Sequence, residues 1–403
     1  MQSKLAIEGG TPVHTRTWPQ WPVWDETEEK ALLEVLRSGQ WWSLGGTKVP
    51  EFEAAFAANQ GTCFACAVTN GSAALEIMLR ALGIGCGDEV IVPAYTFIAT
   101  ASSALAVGAK PVFVDIEENT LNLDPNLLEA AITPKTKAII PVHIGGAPAD
   151  MDGILAVAKK HGLRVIEDAA QAPLAEWRGQ KVGALGDLGS FSFQASKNLN
   201  CGEGGVIVTN DETLAEQVWS VHNVGRRRGG DWYEHAVLGS NHRMTEWQAA
   251  ILLGQLTRLE AQTQTRSANA AYLNTLLDSI PGITPPHPDP RVTRHAWHLY
   301  SFRYNSTAFG GKTLVEFLAA LNAEGVPADE GYAPLYHEDI FRKRGPGLCQ
   351  LCIFDYQKVS CPVAETASRE IARLHQNTFL GARSDMDDIA TAILKLQKAW
   401  GEA

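Results

Sequence analysis

The stretch LGSFSFQASKNLNCGEGGVIVTN, residues 188–210, sets one lysine, Lys197, between two apolar runs of β type. Ser190, Phe191, Ser192 and Phe193 alternate as a half-buried strand does, and Val206 to Thr209 resumes as a second strand. Gly202, Gly204 and Gly205 allow close backbone approach between them. A lysine on a loop is ordinarily a solvated cation. One held in a glycine-flanked turn between two core strands is partly desolvated. That lowers its pKa, and a neutral amine is what a Schiff base with a carbonyl requires.

Upstream, LRVIEDAAQA (163–172) runs a short apolar strand into Glu167 and Asp168, with Gln171 three residues beyond the aspartate. A carboxylate at the C-terminal end of a parallel strand sits where ligand crevices form. Alternatively, Asp168 caps a following helix. Lysine and aspartate together suit pyridoxal phosphate, which needs a lysine for its aldehyde, an acid to keep its ring nitrogen protonated, and a cup for its phosphate.

IEDAAQ, FSFQASKN and GEGG resemble the DegT/DnrJ/EryC1/StrS aminotransferases, fold-type-I pyridoxal-phosphate enzymes that aminate keto-sugars and keto-cyclitols. The resemblance covers nearly the whole chain. FSFQASKN, SNHRMTEWQAAILLGQL and GYAPLY look most like the L-glutamine:scyllo-inosose branch of that family. The resemblance implies that Lys197 carries the cofactor and moves the proton, that Asp168 faces the pyridine nitrogen, and that Gln171 bonds the ring hydroxyl side. It further implies that Phe97 stacks on the ring and that Gly71, Ser72, the Ala73 backbone and Ser192 hold the phosphate. Asn241 is expected to reach the phosphate of a neighbouring subunit, which makes the enzyme a homodimer with shared sites. His143, Arg243 and Tyr332 are candidate substrate contacts; His143 reads equally well as a core residue. Sugar dehydratases that resemble these enzymes carry histidine where this chain has Lys197, which favours amine transfer. The expected reaction moves an amino group from L-glutamine or L-glutamate to a keto-cyclitol such as scyllo-inosose. A nucleotide-linked keto-sugar is the alternative acceptor, and a non-catalytic protein of the same fold is the alternative of another class.

In chain order, a Trp- and Pro-rich arm (1–24) precedes a helix with a capping box at Asp25 and Glu28 and a stop at Gly39. A strand at Phe64–Val68 then leads through Asn70 and Gly71 into a helix, the kind of junction whose free N–H groups bind phosphate. Further strands at 89–92, 111–114, 138–142 and 164–166 alternate with helical stretches, which predicts an α/β fold with a mainly parallel, doubly wound sheet. A long helix from Thr245 and a proline-rich loop, 281–290, lead to a smaller α+β C-terminal domain. The expected domains are thus 25–262 for the cofactor and 263–403 for the smaller unit.

A net charge of -11 gives no basic face for a nucleic acid. The chain lacks an apolar run of membrane-spanning length and a signal-peptide pattern, and its seven cysteines do not form a disulfide scaffold; a cytoplasmic protein is expected. Two C-x-x-C pairs, Cys63 with Cys66 and Cys349 with Cys352, are not read as a metal site, because three-residue spacing in a strand sends the first pair to opposite faces.

Overall fold

The computed structural model describes residues 4–343 and 355–401, so Cys349 and Cys352 lie outside the described residues. Seven strands form the main sheet: β1 (Phe64–Val68), β2 (Glu89–Pro93), β3 (Lys110–Val114), β4 (Thr136–Ile139), β5 (Arg164–Asp168), β8 (Leu188–Ser192) and β9 (Gly205–Thr209). Their order is β1-β9-β8-β5-β4-β2-β3. From β8 to β3 all neighbours are parallel, while β9 runs antiparallel to both β8 and β1. The exception has a local cause: β8 and β9 are joined by the Lys197 turn rather than by a crossover helix, and a hairpin connection reverses the chain. Expectation and structure otherwise agree on a mainly parallel α/β sheet.

Period-two alternation divides the buried side chains between the faces. Val90 and Val92 of β2 pack with Ala74, Ile77 and Met78 of the helix Gly71–Ala81, whereas Ile91, Ile139 and Val165 pack with Ile154 and Ala158 of the helix Met151–His161. Each of these valine, isoleucine and methionine side chains contributes about 1.5–3 kcal/mol on burial. Cys63 is exposed and Cys66 buried, in keeping with opposite faces.

The helix Lys48–Gln60 is absent from the sequence reading, which places no element between Gly39 and Phe64. Pro50 falls in its first turn, where a missing N–H costs nothing. It buries Val49, Phe52 and Phe56, and the buried Glu246 carboxylate accepts from the Lys48 and Val49 N–H groups at its start.

The long helix Glu246–Leu277 opens with a Thr245–Gln248 capping box and runs unbroken from the main sheet to a second core. There β10 (Ile283–Thr284), β12 (Leu299–Tyr304), β13 (Ala328–Glu330) and β14 (Ile371–His375) form an antiparallel sheet ordered β10-β12-β14-β13. Tyr300, Phe302 and Tyr304 pack there against Phe317, Ile389 and Ile393. A three-stranded ribbon, β11 (Val292–Arg294), β6 (Glu176–Trp177) and β7 (Gln180–Lys181), completes the strands. The N-terminal arm is tied to this second core: Glu324 accepts from the Ala6 and Val13 N–H groups, and the Trp18 indole donates to the Gly325 carbonyl. No helix among the described residues is long and apolar enough to cross a membrane.

Candidate active site

The C-terminal ends of β1, β2, β5 and β8 meet at one edge of the main sheet, where a cavity of about 680 Å³ opens toward β12 and β14. Asn70, Gly71 and Ser72 line it from the β1 end, and Thr96 and Phe97 from the β2 end. Asp168, Gln171, Ser192 and Lys197 form its floor and sides, and His298, Tyr332, Arg373 and His375 the wall opposite.

Asp168 closes β5 and is buried. Turns rather than a helix follow it, so the capping alternative is excluded. Its Oδ2 accepts from the Thr100 hydroxyl at 2.8 Å and its Oδ1 from the Ala170 N–H at 3.2 Å. Burial pushes the carboxyl above its usual range, opposed by those hydrogen bonds and by the nearby Lys197. Lys197 sits deep in the same cavity. Burial lowers its amine to about 8 from the ordinary 10.5, with Asp168 pulling the other way.

Gln171 is oriented by two bonds: its Oε1 accepts from the Gly145 N–H at 2.7 Å, and its Nε2 donates to the Tyr332 hydroxyl at 3.0 Å. Phe97 lies on the cavity with 56% of its surface open. At the phosphate end two glycines create the cup. A Cβ on Gly71 would stand 2.8 Å from the Ser192 Cβ, and one on Gly205 would stand 2.9 Å from the Gly71 nitrogen. Only hydrogen at both positions lets the helix start sit against β8 and β9.

Three expected contacts are placed elsewhere. The Ala73 N–H donates to the Asn70 side chain at 2.8 Å as part of the helix cap, so it is spent inside the protein and does not face the cavity. His143 is fully buried behind β5. One ring nitrogen meets the Glu167 carboxylate at 2.9 Å and the other accepts from the Ala149 N–H at 3.0 Å, which makes it a core residue and not a substrate contact. Arg243 bridges to β1 at Val68 and donates to the Asn223 side chain at 2.8 Å, outside this chain's cavity. Asn241 is also outside it, exposed beside Asn223. The three consecutive arginines nearby have local partners: Arg226 lies 3.8 Å from the Trp232 ring centre, Arg227 pairs with Glu234, and Arg228 with Glu216.

Four residues that the sequence reading does not single out belong to the site. Thr100 orients Asp168, and His298, Arg373 and His375 line the wall. The last two carried a signal: in IARLH, Ala372 and Leu374 alternate with Arg373 and His375, so the strand sends its polar side chains to the face away from its core.

A model of the DegT/DnrJ/EryC1/StrS aminotransferase family matches residues 22–394. The chain is 40% identical, over all of its own length and 99% of the relative's, to an L-glutamine:2-deoxy-scyllo-inosose aminotransferase of Streptoalloteichus tenebrarius. It is 38% identical to a 3-amino-5-hydroxybenzoate synthase of Amycolatopsis mediterranei, over 93% of this chain and 96% of that one. The crystal structure of a 3-amino-5-hydroxybenzoic acid synthase superposes with a TM-score of 0.87 at 36% identity, covering 96% of this chain and 100% of the other. With a lysine and a buried aspartate at the sheet edge and kinship along its whole length, this chain belongs to the DegT/DnrJ/EryC1/StrS family and is an aminotransferase of the pyridoxal-phosphate-dependent kind.

Proposed function

We propose that the cavity binds pyridoxal phosphate and that the enzyme moves an amino group from L-glutamine, or L-glutamate, to a ring ketone of the scyllo-inosose type. The observation that carries this reading is the pair of a buried Asp168 and a half-buried Lys197 facing one cavity. Asp168 is a desolvated carboxylate with no lysine, arginine or histidine in ion-pair contact among the described residues. A protonated pyridine nitrogen is the counter-charge such a group lacks. The cup at Gly71, Ser72 and Ser192 suits a phosphate, and Phe97 presents an open ring face for the cofactor plane.

Bound there, pyridoxal phosphate supplies an electron-accepting ring and a carbonyl that amines can exchange on. The chain does the rest. Lys197, with its amine near neutrality, takes the proton from the α carbon of the donor and returns it on the cofactor side of the reaction centre; the acceptor half uses the same groups in reverse. Asp168, held by Thr100 and the Ala170 N–H, keeps a proton on the ring nitrogen. Gln171, fixed by Gly145, presents its amide toward the ring hydroxyl side.

Names of the relatives support the choice of donor and acceptor, since several are called L-glutamine:scyllo-inosose-type aminotransferases. The site is proposed to be completed in a homodimer by Asn241 of a second copy, a reading supported by its exposure beyond its own cavity and by large exposed apolar groups nearby, Trp41, Trp42, Trp232 and Leu238. We further propose division into an arm (1–24), a cofactor domain (25–262) and a small domain (263–403), supported by a second sheet with a buried core of its own at the far end of one long helix, and residence in the cytoplasm, supported by the free thiols of Cys63, Cys66, Cys201 and Cys361. The test is direct: cofactor-loaded protein is incubated with L-glutamine and scyllo-inosose or 2-deoxy-scyllo-inosose, and the aminocyclitol is sought by mass spectrometry. Amine formed from a nucleotide-linked keto-sugar but from neither cyclitol would replace the acceptor; no amine from any ketone would defeat the reading.

A further inference from the structure

Among the described residues, Arg373 is a cation without a carboxylate partner. It stands on β14 directly opposite Asp329 of β13, the neighbour best placed to pair with it, yet Asp329 is turned to the His375 ring nitrogen at 2.5 Å. No other described carboxylate forms an ion pair with Arg373, and its Nε is buried with no hydrogen-bond partner among the described residues. The guanidinium carbon lies 4.8 Å from the centre of the Tyr332 ring. The Tyr332 hydroxyl is held in turn by Gln171, the residue that lines the cofactor end of the cavity. A planar guanidinium supported on a phenol face keeps its N–H edge directed, the geometry that receives a carboxylate through two parallel hydrogen bonds. Leaving such a donor buried and unpaired is costly unless a ligand completes it.

Resting on the function proposed above, we propose that Arg373 binds the α-carboxylate of the amino donor. The two substrates share one cavity in turn, and they differ in this group: an amino acid and the keto acid it becomes both carry a carboxylate, whereas a polyol ketone carries hydroxyls. Arg373 is therefore a specificity-determining residue of the donor half-reaction. It holds the amino acid from the small-core wall while Lys197 works from the opposite side, and the acceptor half-reaction does not need it.

The test uses the cofactor-loaded, full-length enzyme and the variants Arg373→Gln and Arg373→Lys. Calorimetric titration with 4-carbamoylbutanoate, which is glutamine without its amine, reads carboxylate binding with no reaction; the glutamine variant is expected to bind about ten- to a hundred-fold more weakly, and the lysine variant to fall between. In steady state kcat/KM for L-glutamine falls by a similar factor, while KM for the ketone stays within about three-fold. A second donor, 4-aminobutanamide, has the same amine and amide but no carboxylate. Wild type discriminates strongly against it, and Arg373→Gln loses that discrimination because only glutamine suffers. Equal losses with both amines would mean that the arginine merely supports the wall. Unchanged binding of 4-carbamoylbutanoate, or a rise in the ketone KM alone, would overturn the assignment. A wild type that reacts with no amino acid would instead count against the function itself, a result distinct from wild type and Arg373→Gln reacting equally well.

Discussion

At the scale of single residues, the site depends on two ionisable groups moved from their ordinary ranges by the same burial. Lys197 has its amine at about 8 instead of 10.5, so the neutral, nucleophilic fraction grows as pH rises through about 8. Stopped-flow capture of pyridoxal phosphate by the apoprotein should therefore accelerate with a midpoint near pH 8; a rate still climbing at pH 10 would mean an ordinary lysine. Asp168→Asn removes the negative charge and keeps the shape. It should still take up cofactor yet lose roughly 10²-fold or more in kcat, because the ring nitrogen can no longer be held protonated. Near-wild-type turnover in that variant would remove Asp168 from the mechanism. Both residues were legible in the sequence because strand, carboxylate, turn and lysine occur together in a short span. His143 was not: a strand-end histidine looks the same whether it faces a crevice or the interior. Only the three-dimensional position of Glu167 shows that it faces inward.

At the scale of elements, β5 carries two adjacent carboxylates to opposite faces. Asp168 serves the cavity, and Glu167 organises the scaffold beneath it. The Glu167 carboxylate accepts from the N–H groups of Gly183, Leu185 and Gly186 at 2.6–2.7 Å and meets His143 on its remaining side. That loop leads directly into β8 and the Lys197 turn. Glu167→Gln replaces one acceptor oxygen with a donor facing buried donors, so stability should fall by about 2–4 kcal/mol in urea denaturation, with cofactor affinity falling as β8 loses its seat. A change below 0.5 kcal/mol would show that the loop holds itself. The helix–strand alternation made the parallel sheet readable, since each βα unit shows its own switch from period two to period 3.6. The helix Lys48–Gln60 escaped although Val49, Phe52 and Phe56 recur at helical spacing, because no local start signal marks it: Pro50 stands in its first turn and its first N–H groups are capped by Glu246, nearly two hundred residues away. The wall of the cavity was half hidden for a related reason: β14 is short, and its alternation gives a face but not what that face meets.

For the whole molecule, the cavity lies between a floor made by Asp168, Gln171 and Lys197 and a wall carried by β12 and β14, with one continuous helix linking the two sheets, and the proposed function puts both substrates in that space. The exposed aromatic groups around Trp42 and Trp232, together with Asn241, suit a surface covered by a second copy. If each site borrows Asn241 from its partner, mixing inactive Lys197→Ala with impaired Asn241→Ala and allowing subunits to exchange should restore about a quarter of wild-type activity, since half the dimers then hold one intact site. No recovery after proven exchange would place each site within one chain. Whether Lys197 and Asp168 form a pyridoxal-phosphate site that accepts an amino acid can be read from the visible spectrum of the cofactor-loaded protein before and after L-glutamine or L-glutamate. The wild type should show a visible band that one of the two amino acids bleaches, with the corresponding keto acid released in equal amount, and Lys197→Ala should lack that band. A wild type that cannot be loaded with cofactor, or a band that persists unchanged in both amino acids, would contradict such a site.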